Sequence, residues 1–313
     1  MTDAAEAGRP PTGVLLMAYG TPATPADIEA YYTHVRRGRP PAPAQLDELR
    51  GRYEAIGGTS PLLERTQEQR AGIAAALGDG FRVELGMKHA PPFLEDGVAA
   101  LASAGVAGIV GLVLAPHYSA LSVGEYATRA AAAADEAGLV LRMVESWHLS
   151  PGYLDLLAGF VQDAVAGLGV DPVEVVFTAH SLPERILALG DPYPDQLAET
   201  AKAVAERAGI SRWSVGWQSA GRTPEPWIGP DLLSVLPMLV GAGAAGAVVC
   251  ACGFVSDHLE VLYDLDVEAR AEAARLGLAF ARTPSPNARP EFCAAVAQVI
   301  RDVDLDADAG GHA

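Results

Sequence analysis

The sequence predicts an α/β fold made of two doubly wound, open-sheet domains. Apolar runs of strand length alternate with helix-like stretches, and most runs are apolar throughout, as in parallel strands covered on both faces. The chain has 313 residues, which is more than one domain usually holds. A break at 145–153 separates four strand-like runs from a second set. This alternation predicts a mostly parallel sheet in each half.

The predicted strands follow one another along the chain with helices between them. They are GVLLMA (13–18), FRVELGM (81–87), GIVGLVLAP (108–116), LVLRMVE (139–145), VEVVFTA (173–179), WSVGW (213–217) and AVVCAC (247–252). The predicted helices include 60–78, 192–209 and 288–303. Ser60 can cap the first of these and Pro61 suits its first turn. We expect the last helix to pack back on the first half and the tail 304–313 to fray.

Charge and composition limit the classes of partner. The net charge is -17, and a field of that sign repels nucleic acid and anionic lipid. The chain has no apolar window of about 20 residues, no signal-peptide core near its start, and only three cysteines. We therefore expect a soluble cytoplasmic protein with no nucleic-acid partner and no stable membrane association. An anionic ligand would need a local cationic patch.

Polar side chains stand at the carboxyl ends of four predicted strands. Tyr19 follows the first strand, His117 the third and His180 the fifth, and GFVSDH (253–258) follows the seventh. Open parallel sheets bind ligands at this edge. The pattern therefore predicts a ligand site where these four segments meet.

Two other motifs are weaker. GAGAAG (241–246) matches a dinucleotide fingerprint, but it follows a helix and precedes a strand, which is the reverse of the required order. Cys250 and Cys252 lie two apart on a predicted strand and would share a face. Buried cysteine is the commoner interpretation, and a metal clamp is the alternative.

An acidic row follows the seventh strand. Ser256 or Asp257 can cap a helix that starts directly after the strand, and Glu260, Asp264 and Glu268 are then spaced by four along one stripe. Carboxylates without interleaved cations repel one another. The row is either a solvated acidic face or a track of oxygen ligands for divalent cations.

His180 offers a different chemistry. Imidazole and carboxylate together suit a borderline metal such as Fe²⁺, and they also suit proton removal near neutral pH. If His180 and Glu260 follow neighbouring strands, they face each other across a cleft. A lone histidine is more often structural, so this interpretation depends on that pairing.

A cationic and aromatic island occupies residues 31–62. Five arginines lie there (Arg36, Arg37, Arg39, Arg50 and Arg52), with Tyr31, Tyr32 and Tyr53 interleaved. Arginine pairs bidentately with carboxylates, and tyrosines can cover a flat apolar ring. The alternative is a surface helix pair with ordinary charges.

These stretches, in this order, resemble the ferrochelatases, and most closely the soluble coproporphyrin III ferrochelatases of Gram-positive bacteria. The resemblance runs from about residue 13 to about residue 303. It rests on GVLLMAYGTP, YYTHVRRGR, RYEAIGGTSPL, GMKHAPPFLED, LAPHYSALSVGEY, AHSLPERILALGDPYPDQL, VGWQSAGRTPEPWIGPD, GFVSDHLEVLYDLD and PNARPEF.

The resemblance implies two Rossmann-like domains, each a four-stranded parallel sheet flanked by helices, around a porphyrin cleft. The domains would span 12–148 and 149–286, with helix 287–305 packing back on the first. The implied reaction inserts Fe²⁺, a substrate, into a porphyrin and releases two pyrrole protons. No permanently bound cofactor is expected, and no iron–sulfur cluster, because the three cysteines do not fit one.

The resemblance also assigns site residues. His180 and Glu260 would be the catalytic pair that handles iron and accepts protons, and Asp264 and Glu268 would continue the metal-guiding row. The porphyrin would be held by six residues: Tyr19, which meets the iron from the opposite face, and Arg36, Arg52, Tyr53, Ser60 and Tyr126.

Coproporphyrin III is the expected substrate, because its four propionates suit the arginine island and the chain lacks a greasy lip or anchor. Protoporphyrin IX insertion and a non-catalytic porphyrin or metal carrier on the same fold are the alternatives. A carrier need not keep both His180 and Glu260. A cobalt or nickel chelatase fits the complete AHSLPE and GFVSDH pair less well. We expect a monomer with transient contacts to neighbouring haem-pathway enzymes.

Overall fold

The computed structural model describes residues 10–305, so the last eight residues of the predicted tail lie outside the described residues. The strands are β1 (Thr12–Ala18), β2 (Phe81–Met87), β3 (Ile109–Val113), β4 (Leu141–Val144), β5 (Val173–His180), β6 (Trp213–Gln218), β7 (Gly246–Cys250) and β8 (Ala279–Arg282). They form two four-stranded parallel sheets with the orders β2-β1-β3-β4 and β6-β5-β7-β8. The predicted fold class is confirmed.

Helices cover both faces of the sheets. They are α1 (Ile28–Val35), α2 (Pro43–Ala55), α3 (Leu62–Leu77), α4 (Leu94–Ser103), α5 (Val123–Glu136), α6 (Pro151–Leu168), α7 (Arg185–Ala188), α8 (Tyr193–Ala208), α9 (Leu232–Gly241), α10 (Leu259–Val261), α11 (Arg270–Leu276) and α12 (Pro290–Arg301). A π-helical segment, Leu262–Ala269, joins α10 to α11. Within residues 10–305, none of the helices is long and apolar enough to span a bilayer.

Two strand predictions need correction. Strand β8 was not predicted, because it has only four residues and all of them are half-buried. The seventh strand ends at Cys250 rather than at Cys252, since the Cys252 amide donates to the Cys250 carbonyl at 2.8 Å and the chain turns there. Both cysteines are fully buried, and GAGAAG connects α9 to β7 as predicted.

The continuous apolar runs are explained by burial on both faces of each sheet. In β1, Val14 and Leu16 join the core that both sheets share, whereas Leu15 and Met17 face α4 and α5. Alternate side chains of a strand point to opposite faces, so a strand covered twice has no polar positions. The shared core therefore joins the two halves.

Helix α12 closes this shared core, because it packs against both α3 and α6. A Cβ at Gly72 would lie 2.5 Å from the Cys293 Sγ, so the absence of a side chain lets α3 and α12 approach closely. The cysteine is 2% exposed and acts as a packing group. Since α12 contacts both halves, the domain boundary at residues 148–149 stays a prediction.

Tyr153 tests how tightly the core holds the turn after β7. Its hydroxyl donates to the Cys252 carbonyl at 2.7 Å, and its side chain is fully buried. We expect Tyr153→Phe to lower the free energy of unfolding by about 1–3 kcal/mol, because the carbonyl loses its donor in the core. Urea denaturation followed by circular dichroism measures this. Tyr32→Phe is the control, since the Tyr32 hydroxyl makes no hydrogen bond to another residue within 10–305; equal stability of Tyr153→Phe and wild type would contradict the account.

Candidate active site

A cavity of about 890 Å³ lies at the carboxyl ends of the strands of both sheets. Tyr19 follows β1 on one side, and His180 and Gln218 end β5 and β6 on the other. Ligand pockets range from about 300 to about 1,000 Å³, so this one suits a large ligand. The polar strand ends predicted from the sequence do meet here. His117, however, is 2% exposed, and its Nε2 lies 2.9 Å from the Thr200 Oγ1.

His180 and Glu260 face each other inside the cavity. The His180 Nε2 lies 3.5 Å from the Glu260 Oε1. The His180 Nδ1 donates to the Ser181 carbonyl, which leaves Nε2 as the nitrogen directed at the carboxylate. About a third of each side chain is exposed, so both groups can meet a ligand.

The turn after β7 brings Glu260 to His180. Strands β5 and β7 are neighbours in one sheet, and the Gly253 amide donates to the Thr178 carbonyl at 3.0 Å. A Cβ at Gly253 would lie 2.8 Å from the Ala179 Cα, so this close approach needs glycine. The chain therefore re-enters the site directly beside the end of β5.

The helix that carries the acidic row starts later than the sequence predicts. Its N-cap is His258 rather than Ser256 or Asp257. The Ser256 hydroxyl donates to Gln69 and the Asp257 carboxylate accepts from Asn287, so both side chains are committed to tertiary contacts. These contacts tie the turn to α3 and to the segment before α12.

Glu260, Asp264 and Glu268 all line the cavity. Asp264 and Glu268 lie in the π-helical segment, whose i→i+5 hydrogen bonds widen the turn and change the angular drift between residues four apart. Such segments are frequent at functional sites. The row is thus a lining of the cavity instead of a solvated face.

The pKa values of His180, Glu260 and Asp264 are all shifted, and the three groups therefore differ in their protonation at neutral pH. Burial lowers the pKa of His180, but the Glu260 charge and hydrogen bond outweigh it and raise the pKa to about 9. The pKa of Glu260 is well below its usual range: burial opposes this, but the His180 charge prevails. Burial, followed by the Glu260 charge, raises the pKa of Asp264 to about 6. At neutral pH the pair is therefore an imidazolium and a carboxylate, beside a carboxyl group that titrates close to neutrality.

Asp264 is also held by neutral and cationic partners. It accepts a hydrogen bond from the Ser219 hydroxyl, and its Oδ1 lies 3.8 Å from an Arg52 guanidinium nitrogen. Arg52 itself lies 3.7 Å from Glu48 and stacks over the Tyr263 ring at 4.8 Å. A propionate at Arg52 would therefore compete with two carboxylates.

The other predicted porphyrin contacts differ in exposure. Tyr19 is 44% exposed, and burial of its hydroxyl end together with the Glu260 charge raises its pKa, so it stays a neutral phenol. Tyr53, Ser60 and Tyr126 line the cavity but are at most 9% exposed. The Ser60 Oγ accepts from the Leu62 amide at 3.3 Å at the start of α3.

Arg36 does not line the cavity, and Arg37 does. The Arg36 guanidinium stacks over Tyr32 at 5.6 Å, and its Nε donates to the Arg39 carbonyl at 3.2 Å. Arg36 would have to leave these partners to reach a ligand. Arg37 has a φ of 57° and lies 3.5 Å from Glu125.

Several residues that line the cavity were not among the predicted site residues. His258 lies 3.6 Å from Glu260, and Ser219 bonds to Asp264. His258 stands in the motif GFVSDH and Ser219 in WQSAGR. Their place in these motifs was the available signal. Five cationic side chains line the cavity: Arg37, Arg52, Lys88, Arg185 and Arg222. Among residues 10–305 these five cations stand beside six carboxylates of the lining, so the cavity offers both signs of charge in a chain of net charge -17.

Comparison with known proteins identifies the family. The ferrochelatase family model matches residues 11–303. The chain belongs to the ferrochelatase family. Two similar relatives are the coproporphyrin III ferrochelatases of Bacillus pumilus, 46% identical over 298 residues, and of Bacillus subtilis, 45% identical over the same length; each match covers 92% of this chain and 96% of the relative.

Solved structures of low sequence identity share the ferrochelatase fold. SirB from Bacillus subtilis with Fe³⁺ has a TM-score of 0.57 at 12% identity, covering 93% of this chain and 95% of that one. CbiX, described as the terminal enzyme for biosynthesis of siroheme in denitrifying bacteria, has a TM-score of 0.54 at 15% identity, covering 92% and 98%. Among residues 10–305, no group of three or more His, Cys, Asp or Glu side chains has the arrangement of a metal site.

The charge coupling in this ferrochelatase is testable by replacing Glu260. In Glu260→Gln we expect the pKa of His180 to fall from about 9 to its ordinary value of 6.5 or below, because burial then acts with less opposition. NMR titration of labelled histidine measures the pKa; a value that stays near 9 in the variant would show that Glu260 is not its cause.

The raised pKa also means that the pair stabilises the fold at neutral pH and that this contribution declines as the pH rises through 9.

Proposed function

We propose that this chain inserts Fe²⁺ into coproporphyrin III and releases two pyrrole protons, as a step of haem biosynthesis. The observation that carries the proposal is the His180–Glu260 pair, 3.5 Å apart, in a large cavity lined by five cations. The names of the two Bacillus relatives support the substrate.

The cations of the cavity support a polyanionic substrate. Arg37 and Lys88 pair with Glu125, Arg222 pairs with Glu48, and Arg185 pairs with Glu225 outside the lining set. Arg37, Arg185 and Arg222 are more than half exposed, and ion pairs at such positions are worth about 0–1 kcal/mol, so exchanging a protein carboxylate for a propionate there costs little. The less exposed Arg52 and Lys88 are further cationic partners for the four propionates.

His180 and Glu260 together hold one proton in the free protein. A divalent cation beside Glu260 lowers the pKa of His180, because like charges disfavour the imidazolium. Loss of that proton frees the Nε2 lone pair, since Nδ1 remains bound to the Ser181 carbonyl. The freed Nε2 then accepts one of the two pyrrole protons, and the second passes to a carboxylate of the acidic row.

Protons then need a way out of the cavity. Asp264 follows Glu260 along the row, and its pKa of about 6 lets it accept and release a proton near neutrality. Glu268 continues the row in the cavity lining. We assign the row Glu260, Asp264 and Glu268 to cation attraction and proton removal.

The opposite side of the macrocycle would meet Tyr19, a neutral phenol at the end of β1. Tyr53, Ser60, Tyr126 and Arg52 would contact its edge. Holding the periphery while a base acts on one face favours a bent macrocycle, in which the pyrrole nitrogens are accessible.

Anaerobic Fe²⁺ insertion, followed by the loss of porphyrin fluorescence, tests the proposal with coproporphyrin III and protoporphyrin IX side by side. We expect faster insertion into coproporphyrin III, because the cations of the rim match its four propionates. Equal or faster insertion into protoporphyrin IX would overturn the choice of substrate. In the same assay, His180→Ala should lose at least about 100-fold in turnover while coproporphyrin still binds.

The control for His180→Ala is His148→Ala, which removes a histidine outside the cavity lining and should keep its turnover. Full activity in His180→Ala would remove the histidine from the mechanism. Binding of coproporphyrin without any insertion by the wild type would instead favour a carrier.

A further inference from the structure

Two histidines meet at the rim of the cavity, away from the His180–Glu260 pair. His34 lies in the last turn of α1, and His89 follows β2 and lines the cavity. Their Nδ1 atoms are 3.1 Å apart, although the residues are 55 positions apart in the sequence. The mechanism above gives neither ring a role.

This spacing is what two imidazole ligands of one metal ion require. First-row divalent metals bind imidazole nitrogen at about 2.0–2.1 Å, so nitrogens 3.1 Å apart subtend an angle of about 100° at a shared ion. That angle lies between octahedral and tetrahedral values. We propose that His34 and His89 bind a first-row divalent cation through their Nδ1 atoms.

The protonation of the two rings allows this. Two N–H groups cannot point at each other at this distance, so without a metal at most one Nδ1 carries a proton. Burial, with the charge of Lys88, lowers the pKa of His89 to about 3, so this ring is neutral at neutral pH. The neutral His89 ring can then offer its Nδ1 to a cation after a change of tautomer, with no loss of a buried charge on this ring.

Carboxylates partly offset the cations near the two rings, although Glu125 is shared between Lys88 and Arg37. Lys88 forms an ion pair with Glu125, and Arg129 donates to both oxygens of Glu95 at 2.9 Å. The rings are also held in place by their neighbours: His89 contacts Tyr19 at a centroid distance of 4.5 Å, and His34 contacts Phe93 at 5.5 Å.

Two protein ligands leave several coordination positions for water. Such a site suits a cation that binds reversibly. Imidazole ligands favour Fe, Ni, Cu and Zn over Mg and Ca. The contact between His89 and Tyr19 places the ion beside the ring predicted to face the macrocycle. Use of this ion as the metal substrate rests on the proposed function; the binding itself does not.

The test uses Cu²⁺ and Zn²⁺ without porphyrin, in a His180→Ala/Glu260→Gln background that removes the imidazole–carboxylate pair of the cavity. We expect one Cu²⁺ per chain, with pulsed EPR detecting two coordinated imidazoles. Adding His34→Ala or His89→Ala should weaken Zn²⁺ binding in calorimetry at least tenfold and leave one imidazole on Cu²⁺.

His258→Ala in the same background is the matched control, because it removes another histidine of the cavity lining and should change neither measurement. Circular dichroism melts check that every variant is folded. Absence of Cu²⁺ binding in the background, or an unchanged imidazole count in both His34→Ala and His89→Ala, would overturn the proposal. Porphyrin is absent throughout, so failed iron insertion would leave this result intact.

Discussion

The contact between His180 and Glu260 is the constraint on which the site depends. Two opposite charges are held 3.5 Å apart by segments that follow neighbouring strands of one sheet. Gly253 makes this possible, because a side chain there would collide with Ala179. Tyr153 holds the same turn from the core through the Cys252 carbonyl. The reactive groups therefore sit on the rigid part of the molecule.

The charges of the side chains around the cavity indicate which ligands the His180–Glu260 pair would meet. The chain is strongly acidic, and among its described residues five cationic side chains line the cavity together with six carboxylates. In the proposed function, carboxylates of the lining attract a divalent cation, and cations of the lining match a polyanionic ring. Because Asp264 is destabilised as an anion by burial and by Glu260, the row contains a group that exchanges protons near neutral pH.

Much of the fold could be predicted from local patterns. The apolar runs revealed seven of eight strands, because a strand covered on both faces needs no polar residue. The short β8 escaped, since four half-buried residues leave no periodicity to detect. The start of the acidic helix was wrong because Ser256 and Asp257 bond to Gln69 and Asn287, which are distant in sequence.

The candidate site likewise contains residues that the sequence could predict and residues that it could not. His180 and Tyr19 stand at strand ends, so topology brings them to the same edge, whereas Glu260 reaches His180 through the turn at Gly253. Arg37 lines the cavity and has a left-handed backbone, neither of which a single sequence reveals, and porphyrin binding by Arg36 stays a prediction. The meeting of His34 with His89 joins α1 to the end of β2 and was equally invisible before the fold was known.

A crystal structure of the complex with coproporphyrin III tests the central claim most directly. The account predicts the macrocycle inside the cavity, with its nitrogens facing the His180 Nε2 and Glu260 on one side and Tyr19 on the other. A macrocycle bound outside the cavity, or side chains of His180 and Glu260 turned away from its nitrogens, would contradict the account.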